Sequence, residues 1–492
     1  MNKAVSISLQ IVLMVFSKQV FAEEVGSYKD PYKFSEQYAP FLQNPIFLES
    51  DVGVHVMNVR TKEEVFAYQA DNDFVPASVM KVLTSAVALK ELGAEYKYLT
   101  EIRYTGEIKE DGILKGNVYV VGAGDPYMDG EGLWKLTRNM NMAGVKMIQG
   151  NIYFDDSIFG GASYIPGWDK EVDIANGPSY FPMRSSLSLN TNNIAIRVLP
   201  GKMIGTKAKI DLEYPFSLVE IDNQVLTSRN GARPWMSIER ETIENEEGEV
   251  EKMIYHMKGR IPVSVTSPWV YYRSIREPHK FFQENFMIIL EQHQIKHKGY
   301  VQFGPPPRVS QSLAYYQSDP LRSLIADMNK YSRNLTAEHL LLSIAAMSAT
   351  PAKTSEGTDK IVEYLVSLGI PEHEVNLLNG SGLSREMILK PSHVSAVLID
   401  MAENPTVGPE YLASLSVGGR DGTLRRRFQE EDAGLVRGKT GSVNGVYCLA
   451  CFVVGGDGEL YTFVFFANNL QRNTTFIRDL QDQMISVLLD LQ

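Results

Sequence analysis

Ser78-Val79-Met80-Lys81 places a hydroxyl and an amine three residues apart at the start of a candidate helix. That spacing stacks both side chains on one helical face, within reach of each other. A serine hydroxyl is a poor nucleophile until a base takes its proton. A lysine serves as that base only when desolvation or neighbouring positive charge lowers its pKa. Near a helix N-terminus, Ser78 also gains from the dipole as negative charge develops. Taken alone, the tetrapeptide reads more readily as a helix start carrying a surface lysine.

Two further motifs follow in order. Ser332-Arg333-Asn334 falls between helices expected over Leu321–Lys330 and Leu335–Met347. An interhelix loop can present Ser332 to pass a proton to a leaving amine. It can also present Asn334 to hold Lys81 and a substrate's backbone amide; capping of the second helix is the plainer role. Lys439-Thr440-Gly441 leads into a strand hairpin. On an edge strand, Lys439 and Thr440 can grip a terminal carboxylate, and the bare Gly441 lets a peptide lie close. Lys439 is also a positive neighbour able to lower the pKa of Lys81. The backbone N–H groups of Ser78 and Ser442 can form an oxyanion hole, where loss of one donor costs on the order of 3 kcal/mol.

The elements that must carry these residues read as α+β. Strands are expected over Gly53–Val59 and Val65–Gln69, then an amphipathic helix from Ala77 to Leu92 with Gly93 as its C-cap. From 94 to 265 short β-type runs alternate with Gly, Asp and Pro turns. The acidic run Glu239–Lys252 reads there as a solvated hairpin turning at Glu247-Gly248. Helices return over Pro278–Gln294, Leu321–Lys330, Ala337–Met347, Thr358–Leu368 and Pro391–Ala402. Strands Val446–Val454 and Tyr461–Asn468 and a last helix close the chain. Strands at both ends with helices between them predict one sheet completed by both ends of the chain. On this reading 23–93 and 266–492 form the catalytic domain. Residues 94–265 form a β-rich insertion of two small domains.

At 492 residues with a formal net charge of −11, the chain lacks the basic surface of a nucleic-acid binder. Lys3 is the only charge before an apolar run from Ala4 to Phe16, and Val20-Phe21-Ala22 offers a cleavage site. Residues 1–22 therefore read as a signal peptide, because the run is shorter than the roughly 20 residues that span a bilayer. An exported, periplasmic protein with at most loose membrane association is expected. The two cysteines, Cys448 and Cys451, are spaced as CxxC but lie in an expected strand. Residues three apart on a strand point to opposite faces, so two buried free thiols are expected rather than a redox pair. His293 and His297 bring no third ligand, so no metal is expected, and no cofactor is implied.

SxxK, SxN and KTG in this order are the motifs of penicillin-binding proteins and class A β-lactamases. About 250 residues separate Ser78 from Ser332, a gap filled by the β-rich region. The chain thereby resembles the D-alanyl-D-alanine carboxypeptidase/endopeptidase family, the low-molecular-mass class C penicillin-binding proteins. The likeness includes Pro76-Ala77-Ser78, Leu114-Lys115-Gly116, Gly124-Asp125-Pro126, Gly150-Asn151-Ile152, Pro166-Gly167-Trp168, Asn379–Ser384, Asp421–Leu424 and Lys439–Val446. It implies a β-lactamase/transpeptidase-like domain, an antiparallel sheet with helices on both sides, carrying β-rich inserts. It implies hydrolysis of peptidoglycan stem peptides through an acyl-enzyme on Ser78, with Lys81 as base. Ser332 and Asn334 would relay the proton and position substrate. Lys439, Thr440, Gly441 and Ser442 would bind it, and β-lactams would acylate Ser78. Arg333 and Asn379 stand where the family usually carries aspartate, and Arg420 where it carries an apolar or small residue. Asp169 and Asp173 are candidates to reach a substrate side chain. The alternatives are a β-lactamase, against which stand the missing ExxLN segment and Ser332 in place of a tyrosine, and a non-catalytic wall-binding or sensor protein.

Overall fold

The computed structural model describes residues 36–161, 163–168, 177–471 and 474–491. The expected signal peptide and Asp169 and Asp173 lie outside them. The chain builds a six-stranded antiparallel sheet in the order Ser416–Val417, Val436–Val443, Val446–Val454, Leu460–Asn468, Asp51–Asn58 and Glu64–Tyr68. Its early and late strands meet where Asp51–Asn58 pairs with Leu460–Asn468.

The sheet is buried on both faces, and alternation along one strand shows why. Val446, Cys448, Ala450 and Phe452 pack on the face that carries the helices Met80–Leu92, Leu321–Tyr331, Asn334–Ala346 and Pro391–Glu403. Tyr447, Leu449, Cys451 and Val453 pack on the other face, under Thr474–Leu489 with Ile477, Leu480, Met484 and Leu488. A strand buried on both faces reads as a continuous apolar run, as this one does. The helix Met80–Leu92 is enclosed along its length, with every residue from Met80 to Leu89 buried. Each buried Leu or Val there contributes about 1.5–3 kcal/mol of burial, so the helix that carries the lysine is a fixed platform.

The middle of the chain forms four small sheets around a core of its own. The acidic hairpin is present: Trp235–Glu244 pairs antiparallel with Val250–Pro262, turning through Asn245–Glu249 with Gly248 at φ +79°. The helix Gly130–Met142 was not expected there. Asp129 caps it by accepting a hydrogen bond from the Gly132 amide at 2.8 Å, and it buries Leu133, Leu136, Thr137 and Met140 at helical spacing. Its glycines and asparagines, poor helix formers, hid that period.

Segments beyond 265 also join this core. Trp269–Ser274 pairs with Asn193–Leu199, and Gln311–Gln317 pairs with Leu99–Tyr104. The helix Pro278–Gln292 contributes Phe281, Phe282 and Phe286 to the same cluster. A division at 265 would therefore cut strands from their partners. The change from strand to helix texture does not mark which core a helix fills.

Cys448 and Cys451 are free, buried and on opposite faces of the sheet, and burial pushes both thiols up. The folded protein is expected to show no reaction with a soluble disulfide reagent, and the denatured protein two reactive thiols per chain. Fast labelling of either thiol without denaturant would contradict this packing.

Candidate active site

Ser78 sits on a short 3₁₀ turn, Ala77–Val79, rather than in the expected continuous helix, and the α-helix begins at Met80. Ala77 holds φ +46°, a left-handed conformation that costs an alanine on the order of 1–3 kcal/mol. The turn fits because Gly382, at φ +78°, lies against it; a Cβ there would overlap the Ala77 carbonyl. Ser78 is thus lifted into the cleft while Lys81, one turn on, points inward.

Lys81 is completely buried. Its Nζ lies 2.9 Å from Ser78 Oγ, 2.8 Å from Asn334 Oδ1 and 2.7 Å from the Ser381 carbonyl oxygen. Burial lowers its pKa well below the usual lysine value, and Lys439 pushes it the same way. A neutral amine has two hydrogens and one lone pair. The two carbonyl-type acceptors take the hydrogens, which directs the lone pair at the Ser78 hydroxyl proton. This is the geometry of a base poised on a nucleophile.

Ser332 caps the helix Leu321–Tyr331 at φ +59°, and the next helix starts at Asn334. The loop between them turns Ser332 Oγ toward Lys439 Nζ, at 3.0 Å. Lys439 is also fully buried, and burial lowers its pKa to about 7. Asn334 holds Lys81 as expected. Its Nδ2 donates instead to the Tyr180 carbonyl at 2.8 Å, so in this structure the expected substrate amide contact is occupied by the middle of the chain.

The Lys-Thr-Gly strand is open where it matters. Val436–Val443 and Val446–Val454 are joined by the two-residue loop Asn444-Gly445, so the closing pair Val443↔Val446 is hydrogen-bonded. By alternation Gly441 and Lys439 also bond that neighbour, while Thr440 and Ser442 turn their backbone groups to the other edge. There Ser416–Val417 covers only Gly438 and Arg437, so among the described residues no strand lies beyond the Ser442 N–H. A Cβ on Gly441 would meet the Pro76 carbonyl oxygen at 2.9 Å and the Ser78 and Val79 amide nitrogens at 3.1 Å. The glycine therefore allows the strand to lie against the nucleophile turn. Thr440 Oγ1 donates to Thr423 Oγ1 at 2.9 Å, which fixes its hydroxyl.

The structure brings Ser78, Lys81, Ser332, Asn334, Lys439, Thr440, Gly441 and Ser442 to one cleft. Several groups that complete it went unassigned in the sequence. The Ser381 carbonyl anchors Lys81, Thr423 orients Thr440, and Trp168 Nε1 donates to Ser381 Oγ at 3.3 Å. Their segments, Asn379–Ser384, Asp421–Leu424 and Pro166–Trp168, were legible as shared motifs, but with no role. Asn379 accounts for its own departure from aspartate. Its Oδ1 accepts from Ser381 Oγ and the Gly382 amide, while its Nδ2 donates to the Pro166 carbonyl at 3.0 Å, which a carboxylate cannot do. Arg333 is spent on Asp327, and Arg420 donates to the Ala433 carbonyl. Beside the loop a cavity of about 750 Å³ opens, lined among others by Ser332, Arg333, Tyr180, Tyr316, Asp125 and Asp319.

Two buried lysines, a serine on a strained turn and an open strand edge define a serine acyl-transfer site on a sheet with helices on both sides. Residues 35–491 match the D-Ala-D-Ala carboxypeptidase 3 (S13) family, and the chain belongs to it. It is 28% identical to a D-alanyl-D-alanine carboxypeptidase of Actinomadura sp. (strain R39) over 437 residues, 86% of this chain and 79% of that one. It is 27% identical to the D-alanyl-D-alanine carboxypeptidase DacB of Haemophilus influenzae, over 85% of each. The crystal structure of penicillin binding protein 4 (dacB) from Haemophilus influenzae superposes with a TM-score of 0.76 at 24% identity, covering 94% of this chain and 100% of that chain. The expected fold class is thereby shown.

With Ser78 as the expected nucleophile, Lys81 as its expected base and Lys439 as the expected carboxylate partner, the two lysines would set the pH response of acylation. Lys81 must be neutral, so kcat/KM rises as pH climbs through its lowered pKa. Lys439 must be charged to hold a carboxylate, so kcat/KM falls as pH climbs through about 7. A bell-shaped profile is expected, with its basic limb absent in Lys439→Gln; a wild-type profile that stays flat from pH 7 to 10 would contradict this. Gly441→Ala is expected to slow acylation by about 10²-fold through displacement of the Ser78 amide, measured as the rate of acyl-enzyme formation.

Proposed function

We infer that this protein is a serine D-alanyl-D-alanine carboxypeptidase and D,D-endopeptidase acting on peptidoglycan stem peptides. The observation that carries the reading is the buried Lys81 amine, held by two acceptors with its third bonding direction on Ser78 Oγ. Ser78 Oγ attacks the carbonyl carbon of a D-alanyl residue as its proton passes to Lys81. The amides of Ser78 and Ser442 hold the resulting oxyanion, and Lys439 and Thr440 hold the carboxylate beyond the bond. Collapse breaks the C–N bond, and the amine leaves with a proton delivered through Ser332. Water then cleaves the Ser78 ester and restores the enzyme. A penicillin presents a strained amide and a carboxylate at a comparable spacing, so it acylates the same oxygen.

The cavity beside Ser332 favours cross-links as substrates in addition to free pentapeptides. Ser332 serves the leaving group, and a single D-alanine does not fill about 750 Å³. The reading places the protein in the periplasm, supported by the leader-like start from Lys3 to Ala22. Among the described residues no helix is long and apolar enough to cross a membrane. It divides the chain into a catalytic domain and a middle unit that runs from about Leu99 to Gln317, following the strand pairing.

Incubation with labelled penicillin is expected to give one adduct, on Ser78, and none in Ser78→Ala. Purified sacculi are expected to lose both terminal D-alanine and D-alanyl cross-links in muropeptide profiles. A label on another residue would overturn the mechanism. Unchanged muropeptides with measurable sacculus binding would point to a wall sensor, and rapid cephalosporin turnover to a β-lactamase.

A further inference from the structure

One buried charge near the cleft has no part in the reaction as written. Glu338 lies one turn into the helix that Asn334 begins and is 2% exposed. An ionised carboxylate is costly to bury without hydrogen bonds, and this one has two from consecutive amides. Gly380 N donates to Oε2 at 3.0 Å and Ser381 N to Oε1 at 2.8 Å. Such a clamp fixes the plane of the peptide between them. The carbonyls that follow are placed as well: Gly380 O accepts from Thr84 Oγ1 at 2.7 Å, and Ser381 O takes Lys81 Nζ at 2.7 Å. Thr84 and Lys81 belong to one helix, so the clamp ties the loop 379–382 to the nucleophile platform at two points.

We propose that Glu338 is a positioning residue for the Lys81 base: by clamping the Gly380 and Ser381 amides it aims the Ser381 carbonyl that orients the amine toward Ser78, and its carboxylate is the negative partner of Lys81 in that pocket. The inference rests on the reading of Lys81 as that base. Without a negative partner, a lysine buried beside a second lysine becomes too weak a base, because both surroundings disfavour its ammonium. The charged groups facing Glu338 are Lys81 from the nucleophile helix and Arg184 from the middle of the chain. Lys439 faces Lys81 from the strand. His339, adjacent in sequence, is held neutral near physiological pH by burial and bonds the Gly124 carbonyl instead. Burial raises the Glu338 pKa, while the two amides and Lys81 oppose that rise and favour the carboxylate.

The test uses the full chain. The second-order rate of Ser78 acylation by benzylpenicillin is measured from pH 5 to 10 for wild type, Glu338→Gln and Glu338→Asp, with thermal melting of each. Glu338→Gln is expected to acylate about tenfold or more slowly at pH 7, with its acid limb moved down by on the order of one pH unit, and still on Ser78. Glu338→Asp keeps the charge and withdraws the clamp, so its rate falls while its limb stays in place. If Glu338→Gln does not fold, Glu338→Asp decides: a tenfold loss at unchanged melting temperature supports the proposal, and a wild-type rate overturns it. A folded Glu338→Gln with the wild-type limb and rate overturns it, as does a rate loss with an unmoved limb. Failure of wild type to acylate on Ser78 would instead overturn the mechanism beneath.

Discussion

A lysine ammonium is among the least welcome groups in a protein interior, and this site buries two within one cleft. Desolvation disfavours the charged form of each, and Lys439 adds its field to the burial of Lys81. The rest of the site answers that constraint. The Asn334 side chain and the Ser381 carbonyl satisfy the Lys81 hydrogens, and Ser332 shares Lys439 with its own strand. The enclosed helix, the turn at Ala77 and the close strand at Gly441 hold these partners within hydrogen-bond distance.

Two of the three groups around Lys81 come from far along the chain, and only Ser78 is local. Asn334 is 253 residues away and Ser381 300 residues away. The middle of the chain contributes too, because the Tyr180 carbonyl steadies Asn334 and Trp168 steadies Ser381. The β-rich insertion is therefore part of the wall of the active-site cleft, and the loop 379–382 joins the two. Closing so long a loop costs little more than closing a shorter one, since loop entropy grows only logarithmically with length. A large insertion between nucleophile and proton relay is thus thermodynamically tolerable.

What the sequence disclosed follows from the kind of signal involved. Polar side chains leave type and spacing, so the gathering of Ser78, Lys81, Ser332, Asn334 and Lys439 in one cleft was legible. The strand Val446–Val454 was legible from its apolar run, and the separation of Cys448 from Cys451 from the two-residue period. The Ser381 carbonyl was not, because a backbone oxygen has no residue signature. Glu338 was hidden inside an apolar helix, where a lone acid carries no period. The membership of 269–317 in the middle core was lost for another reason: the partners Asn193–Leu199 and Leu99–Tyr104 lie far back in sequence, and pairing at that distance leaves no local trace.

The remote origin of the Lys81 partners also ties the power of the site to the state of the chain. In an unfolded or partly folded chain, water surrounds Lys81, its amine keeps its proton at neutral pH, and Ser78 is an ordinary alcohol. Only when the segments around residues 334, 381 and 439 close on the helix do burial and Lys439 lower the pKa of that amine. On the reading of Lys81 as the base, the activation of Ser78 is itself a product of folding, complete only when the last long-range contact forms.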